Sequence, residues 1–342
     1  MLYRFDSDYL EGCIPEILEK FSSTNLEQTP GYGEDPHCER AKSLIKEACG
    51  NKQADVHFLV GGTQTNVTVI SALLRPHQGV VCAETGHINV HETGAVEHSG
   101  HKVLALRAIQ GKITAEQVEE TMQNHKDDPT REHAIQPGMV YISFPTEVGT
   151  LYSKDELQKI AAVCRKWQIP LFVDGARLGY GLYSPENDVT LKDLAQLADV
   201  FYIGGTKQGA LFGEAVVFST QELSKDFRYF IKQNGGMLAK GRLLGLQFEA
   251  LFEEGRYLKY AQNAIDKAME LKAALKAKGY EFLAESPTNQ QFPIMENAQI
   301  EKLAEKFGFE TWGRIDAQHT AVRFVTSWAT PQEAVQQLIS EL

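Results

Sequence analysis

Cysteine is scarce in this chain of 342 residues: Cys13, Cys38, Cys49, Cys82 and Cys164 are all there is, and no two stand in a CxxC spacing. That excludes a disulfide framework and the common zinc sites, and the five are expected to be reduced, mostly buried small apolar residues. Long hydrophobic runs are missing too; none approaches the roughly 18 residues a helix needs to cross a bilayer. No Lys/Arg block occurs, and the formal net charge of -11 repels phosphate backbones and anionic lipid surfaces. Neither nucleic acid nor membrane is an expected partner. The start, Met1-Leu2-Tyr3-Arg4-Phe5-Asp6-Ser7-Asp8, lacks the basic-then-apolar order of a secretory signal, so a cytoplasmic location is expected. The chain also lacks an internal repeat, a low-complexity tract and a flexible linker.

What is present is an ordinary globular composition, 43% apolar and 23% charged, in a chain long enough for a large domain with a smaller companion. Short apolar runs at 57–60, 80–83, 102–106, 139–144, 171–174, 200–203 and 215–218 read as strands, and helical spacing separates several of them. Val67, Ile70 and Leu74 mark one helix at 64–74; Leu157, Ile160, Ala161 and Cys164 mark another at 154–167. Thr114 with Gln117 has the form of a capping box, Ser153 opens a helix with Asp155 and Glu156, and 124–138 reads as a surface connection. Alternation of this kind predicts an α/β fold whose large domain is a mostly parallel sheet flanked by helices. After Gly235-Gly236 the pattern changes. Helices through 243–252 and 257–278, then strand-like 280–283, 291–295 and 321–326, predict a small C-terminal α+β domain. The expected division is 1–20 as a segment associated with the small domain, 21–238 as the large ligand-binding domain and 239–342 as the small one.

The chemistry is carried by an acid and a lysine. Asp174 ends the run Leu171-Phe172-Val173, and Lys207 follows Gly204-Gly205-Thr206 just past the next strand. Acids at carboxyl ends of parallel strands face the crevice where α/β proteins bind ligands, although a helix cap or an ion pair is the plainer role. For Lys207 the plainer role is a solvated loop lysine, against which stand the surrounding glycines and the preceding apolar strand. Together the two suit pyridoxal phosphate: the carboxylate pairs with the ring nitrogen and the amine forms a Schiff base. The turn Gly61-Gly62-Thr63-Gln64 between strand and helix offers a phosphate cradle, with Thr63 able to cap, though such turns are common. His87 follows the strand at 80–83, where an imidazole can stack on a cofactor ring. His87 and His91, four apart, are also spaced as metal ligands, but no third ligand accompanies them, and a structural histidine is the remaining reading. No metal is expected.

In order along the chain stand Asp6-Ser7-Asp8, Tyr32-Gly33-Glu34-Asp35-Pro36, Gly61-Gly62-Thr63-Gln64-Thr65-Asn66, His87 with Glu92 and Gly94, Val173-Asp174-Gly175-Ala176-Arg177, Lys207, Gly235-Gly236-Met237 and Val322-Arg323-Phe324-Val325-Thr326. In these the chain resembles the threonine aldolases, pyridoxal phosphate lyases of the aspartate aminotransferase-like fold, over nearly its whole length. The resemblance implies a homo-oligomer, dimer or tetramer, with sites at subunit interfaces and a small amino acid as substrate. It implies Lys207 as the Schiff-base lysine, Asp174 on the pyridine nitrogen, His87 stacked on the ring, and Gly62, Thr63 and Gln64 around the phosphate. It places Ser7, Arg177 and Arg323 near the substrate carboxylate, Arg177 near the cofactor as well, and Tyr32 near the site.

One departure bears on catalysis. Glu147, in Phe144-Pro145-Thr146-Glu147-Val148-Gly149, stands where the family usually carries a histidine thought to assist proton removal. An ordinary carboxylate is a weak base for a β-hydroxyl, so Glu147 is either raised by burial, replaced by a water or another group, or a sign of a different substrate. The loop before Gly235 also differs, and Lys232 and Arg228 are equal candidates for a phosphate contact. The expected reaction is retro-aldol cleavage of threonine or allo-threonine to glycine and an aldehyde. Its rivals are β-elimination or transamination on the same scaffold, and a cofactor-binding protein with little catalysis.

Overall fold

The computed structural model describes residues 2–342. Its centre is a seven-stranded sheet in the spatial order Asp55–Leu59, Glu214–Phe218, Val200–Gly204, Leu171–Asp174, Gln136–Ser143, Gln78–Ala83, Lys102–Leu106. Only Glu214–Phe218 runs against its neighbours. The other pairings given for the inner strands are parallel, as the long apolar runs require of a sheet covered on both faces.

Side chains alternate across this sheet. Leu171 and Val173 join Val140, Ile142, Phe201 and Ile203 in the core on one face. Phe172 joins Tyr141, Tyr202, Val80 and Val216 on the other. The period of two puts Asp174 on the face of Phe172, and the register Tyr141↔Phe172 and Phe172↔Val200 brings the two tyrosines to either side of it. Local sequence thus aims the acid.

Helices close both faces where capping predicts. Ala115–Asp127 and Lys154–Trp167 begin with full capping boxes, Thr114 with Gln117 and Ser153 with Glu156. Helix Arg242–Phe252 lies on Pro36–Ala48, adding Leu244, Phe248 and Leu251 to the main core. Helix Arg256–Ala277 leads on to the smaller sheet, in which His319–Val325 pairs with Ile294–Glu296, Glu310–Arg314 and Gln290–Gln291. The N-terminal strand Tyr3–Arg4 pairs in parallel with Phe307–Gly308, and Phe5 packs with Leu271, Phe307 and Phe324. Among the described residues no helix is long and apolar enough to cross a membrane.

Three expectations are corrected. The surface connection is shorter than 124–138, because its helix continues to Asp127 and the next strand starts at Gln136. The run 280–283 forms no strand, only an isolated bridge from Phe282 to Pro293. The run 291–295 splits in two around Pro293, which has no N–H to donate to a ladder.

Candidate active site

Asp174 is buried at the carboxyl end of its strand, and both oxygens are occupied. Oδ1 accepts from Tyr202 Oη at 2.5 Å and Ala176 N at 3.0 Å; Oδ2 accepts from Tyr141 Oη at 2.5 Å and Asn66 Nδ2 at 3.2 Å. Burial alone would raise this carboxyl, but attraction to His87 and the bonds from Tyr141, Tyr202 and Ala176 N outweigh it and hold the group below its usual range. Asp174 is therefore an anion in a buried place. Its backbone continuation must be glycine: a β-carbon at Gly175 would lie 1.9 Å from the Tyr202 carbonyl oxygen.

His87 stands on the same side. Its Nδ1 is 2.8 Å from Glu92 Oε1, which also accepts from Asn66 Nδ2 at 2.7 Å, so Asn66 ties Glu92 to Asp174. The backbone N–H of His87 donates to Glu147 Oε1 at 2.9 Å, and Ser143 Oγ donates to the same oxygen at 2.6 Å. Burial raises the Glu147 carboxyl, with repulsion from Asp174 adding to it and the bonds from Ser143 and His87 opposing. The His87 and His91 rings lie 5.5 Å apart, and among the described residues no cluster of three or more His, Cys, Asp or Glu is suited to a metal ion.

Lys207 sits on a turn gripped from several sides. Glu214, opposite Gly204 in the strand register, accepts from Gly205 N at 3.1 Å and Thr206 Oγ1 at 2.9 Å. Tyr180 Oη donates to the Lys207 carbonyl at 2.6 Å, and Tyr257 Oη donates to the Gly204 carbonyl at 3.0 Å. Burial and the charge of Arg177 lower the ammonium, more than Asp8, Asp174 and Glu214 raise it. Burial pushes the Glu214 carboxyl up to about 8, against the bond from Thr206 and the charge of Lys207. The turn thus presents an amine that gives up its proton more readily than a surface lysine does.

The two arginines differ in their counter-ions. Arg177 holds buried Asp8 with two bonds, Nε to Oδ2 at 2.7 Å and Nη2 to Oδ1 at 3.0 Å, and Asn289 Nδ2 donates to Asp8 at 2.9 Å. Arg323 lies with its guanidinium 4.9 Å above the Trp312 ring; Nη1 donates to Gln290 Oε1 at 3.1 Å and Nη2 to Glu310 Oε2 at 2.5 Å. Arg323 Nη2 also donates to the Asp6 carbonyl at 3.3 Å, while its buried Nε has no partner. Tyr9, His87, His91, Glu147, Arg177, Lys207, Glu310, Trp312 and Arg323 enclose one cleft of roughly 310 Å³. Ser7 Oγ is likewise buried without a partner, but Ser7 is not among the residues that line this cleft.

At the helix Gly62–Leu73 the cap is Gly61 and not Thr63, which falls in the first turn with an exposed side chain; no side-chain cap bond forms. The Gln64 side chain is also committed elsewhere, accepting from Val60 N at 3.0 Å and donating to the Asn234 carbonyl at 2.9 Å. What remains for an anion is the backbone N–H groups of Gly62, Thr63 and Gln64, which face no carbonyl within the helix. A β-carbon at Gly62 would come to 3.3 Å from Tyr202 Oη, so this bare helix start adjoins the phenols around Asp174.

Tyr32 does not join the cleft within one chain. Its backbone adopts φ 61°, its N–H donates to the Ala239 carbonyl at 3.2 Å, and it lines a different pocket with Arg228 and Met237. Lys232 lies 5.1 Å over the Tyr32 ring, and Arg228 pairs with Glu34 at 3.2 Å. Sequence reasoning missed Tyr141, Tyr202, Glu214, Glu310 and Trp312. Only the strand register could have placed the first two.

Residues 5–298 match the family described as beta-eliminating lyase. The chain is 31% identical over 346 residues to a low specificity L-threonine aldolase of a Pseudomonas species, covering 99% of this chain and 96% of that one. Its structure resembles that of Leishmania major threonine aldolase with a TM-score of 0.96 and 41% identity, over 99% of this chain and 98% of the other. The chain belongs to the beta-eliminating lyase family. Within that family its similarity lies with the threonine aldolases, and the fold is shared more widely: Thermus thermophilus aspartate aminotransferase superposes with a TM-score of 0.70 at 16% identity, over 99% of this chain and 90% of that one.

The residues fit the pyridoxal phosphate that the family resemblance implies. The bare N–H groups at Gly62–Gln64 suit its phosphate, anionic Asp174 suits its ring nitrogen, and the Lys207 amine suits its aldehyde carbon. No donor set nearby demands another group.

Proposed function

We propose that this beta-eliminating lyase family member is a pyridoxal phosphate-dependent aldehyde lyase that cleaves a β-hydroxy-α-amino acid, threonine or allo-threonine, to glycine and an aldehyde. The observation that carries this reading is a buried anion, Asp174, held by two phenols, an amide and a backbone N–H, and coupled electrostatically to a lysine of lowered affinity for its proton. When bound, the cofactor supplies a protonated aromatic ring that takes up the electron pair of a bond broken at Cα.

The chain's own residues do the rest. Asp174 keeps the ring nitrogen charged, because a full negative charge beside it favours protonation. Lys207, with its proton loosely held, is available to the carbonyl carbon of the cofactor. Arg323 Nε, buried and without a partner, suits the substrate carboxylate, to which the resemblance adds Ser7, and the planar guanidinium over Trp312 fixes its angle. Glu147 opens on the same cleft with Oε1 anchored by two donors, which suits it to remove the proton of the β-hydroxyl. Holding Cα and Cβ relative to the ring is how these contacts set rate as well as affinity.

The test is to incubate the purified protein with each of the four threonine stereoisomers and assay glycine and acetaldehyde together. Stoichiometric appearance of both, abolished in Lys207→Ala, is the expected result. Ammonia with a keto acid in their place would instead establish β-elimination, the reaction the family is described by.

The resemblance to the aldolases also supports a homo-oligomer in which a second copy covers the cleft mouth, where Tyr9 is 53% exposed. The five unpaired, buried cysteines fit a reducing compartment such as the cytoplasm.

A further inference from the structure

We propose that Glu310 is a displaceable stand-in for the substrate carboxylate, holding Arg323 and yielding it to an incoming amino acid. The inference rests on the amino-acid lyase reading above and adds a determinant of affinity to it.

The two arginines of the cleft carry counter-ions of opposite character. The Asp8 side chain is wholly buried, takes two bonds from Arg177 in a fork and a third from Asn289; nothing lets it leave. The Glu310 side chain is 44% exposed, while Arg323 is 10% exposed. Glu310 reaches Arg323 from directly across the antiparallel pair Glu310↔Arg323 and offers it one oxygen, leaving Arg323 Nε without a partner. A partly exposed single-contact ion pair is worth little, whereas a carboxylate taken up with two bonds gains geometry as well as charge. Swinging out costs Glu310 no burial, since water can solvate it at the rim. An exchange of one carboxylate for another also keeps the cleft's charge constant, so the arginine is never left buried without an anion.

The result is selection. Ligands without a carboxylate leave Glu310 in place, and ligands with one must compete against it, so apparent affinity falls by the fraction of time the contact is closed.

The experiment titrates acetate, and separately glycine, into holoprotein and into Glu310→Gln, following the fluorescence of Trp312 under the guanidinium; Trp312→Phe subtracts the other two tryptophans. Both midpoints are expected to fall by about tenfold in Glu310→Gln, as for a contact closed about nine-tenths of the time. The gain is expected to vanish in an Arg323→Ala background, and in turnover it falls on KM rather than on kcat. Unchanged or weaker acetate binding in Glu310→Gln would overturn the proposal and make Glu310 a brace for Arg323. Acetate behaving as expected while no threonine isomer is cleaved would leave the exchange standing and remove the lyase reading instead.

Discussion

Glu147 shows how a single side chain is given its properties by place. An aqueous carboxyl titrates near 4.3, too weak a base for a hydroxyl at neutral pH. Here burial raises it, and the anchoring of Oε1 by His87 N and Ser143 Oγ keeps it aimed. The sign follows: the group must be deprotonated to act, so cleavage falls as pH drops through a value above the ordinary carboxylate range. Glu147→Gln is expected to lose that acidic limb from the kcat/KM profile and to slow turnover by on the order of 100-fold or more. An unaltered profile would remove Glu147 as the base. The acid and the lysine of this site are legible in sequence because the one ends an apolar strand and the other follows the next by three residues, both beside glycines. Tyr141 and Tyr202 are not, since a tyrosine in a buried strand looks like core until register places its hydroxyl against Asp174. Thr63 misleads for the opposite reason: a capping residue type stands in the first turn, two residues past Gly61, which is the cap.

The central strands are readable because covering both faces demands continuous apolar runs, and 171–174 appears at those limits in the structure. The strand Glu310–Arg314 is not, because it lies at the edge of the small sheet, pairs only on one side and reads Glu-Thr-Trp-Gly-Arg with no apolar alternation. That edge carries Glu310 and Trp312, so the unreadable element is also the one that shapes the cleft. At the readable end, the junction after Leu171–Asp174 leaves no room: a β-carbon at Gly175 meets the Tyr202 carbonyl at 1.9 Å. Gly175→Ala is expected to cost about 1–3 kcal/mol in urea denaturation, as overpacked positions do, and to reduce turnover further by shifting Asp174. Gly313→Ala, where a β-carbon meets nothing within 4 Å, is the control, expected within about 0.5 kcal/mol of the parent. Equal stability of the two variants would show that the strand end relaxes freely.

For the whole molecule, the expected assembly is tested at the exposed apolar side chains around Tyr32. Tyr229 is 74% exposed, Leu26 90% and Tyr32 48%. The chain ties them together: Arg228 donates to the Tyr32 carbonyl, and Arg242 donates to the carbonyls of Asn25 and Glu27 on either side of Leu26. Holding a tyrosine at φ 61° with its ring under Lys232 spends conformational energy on a residue that is about half exposed and lies outside its own chain's cleft. Large apolar side chains gathered around fixed arginines are the composition of an interface core rather than of a free surface. The proposed homo-oligomer is expected to bury this patch between two copies of the chain. Light scattering after size exclusion is expected to give at least twice the chain's mass, and Tyr229→Glu, which sets a charge in the middle of the contact, is expected to shift it toward the single chain. A wild-type protein that elutes as a single chain while cleaving threonine at full rate would show that the cleft is complete without a partner and that the patch has another use.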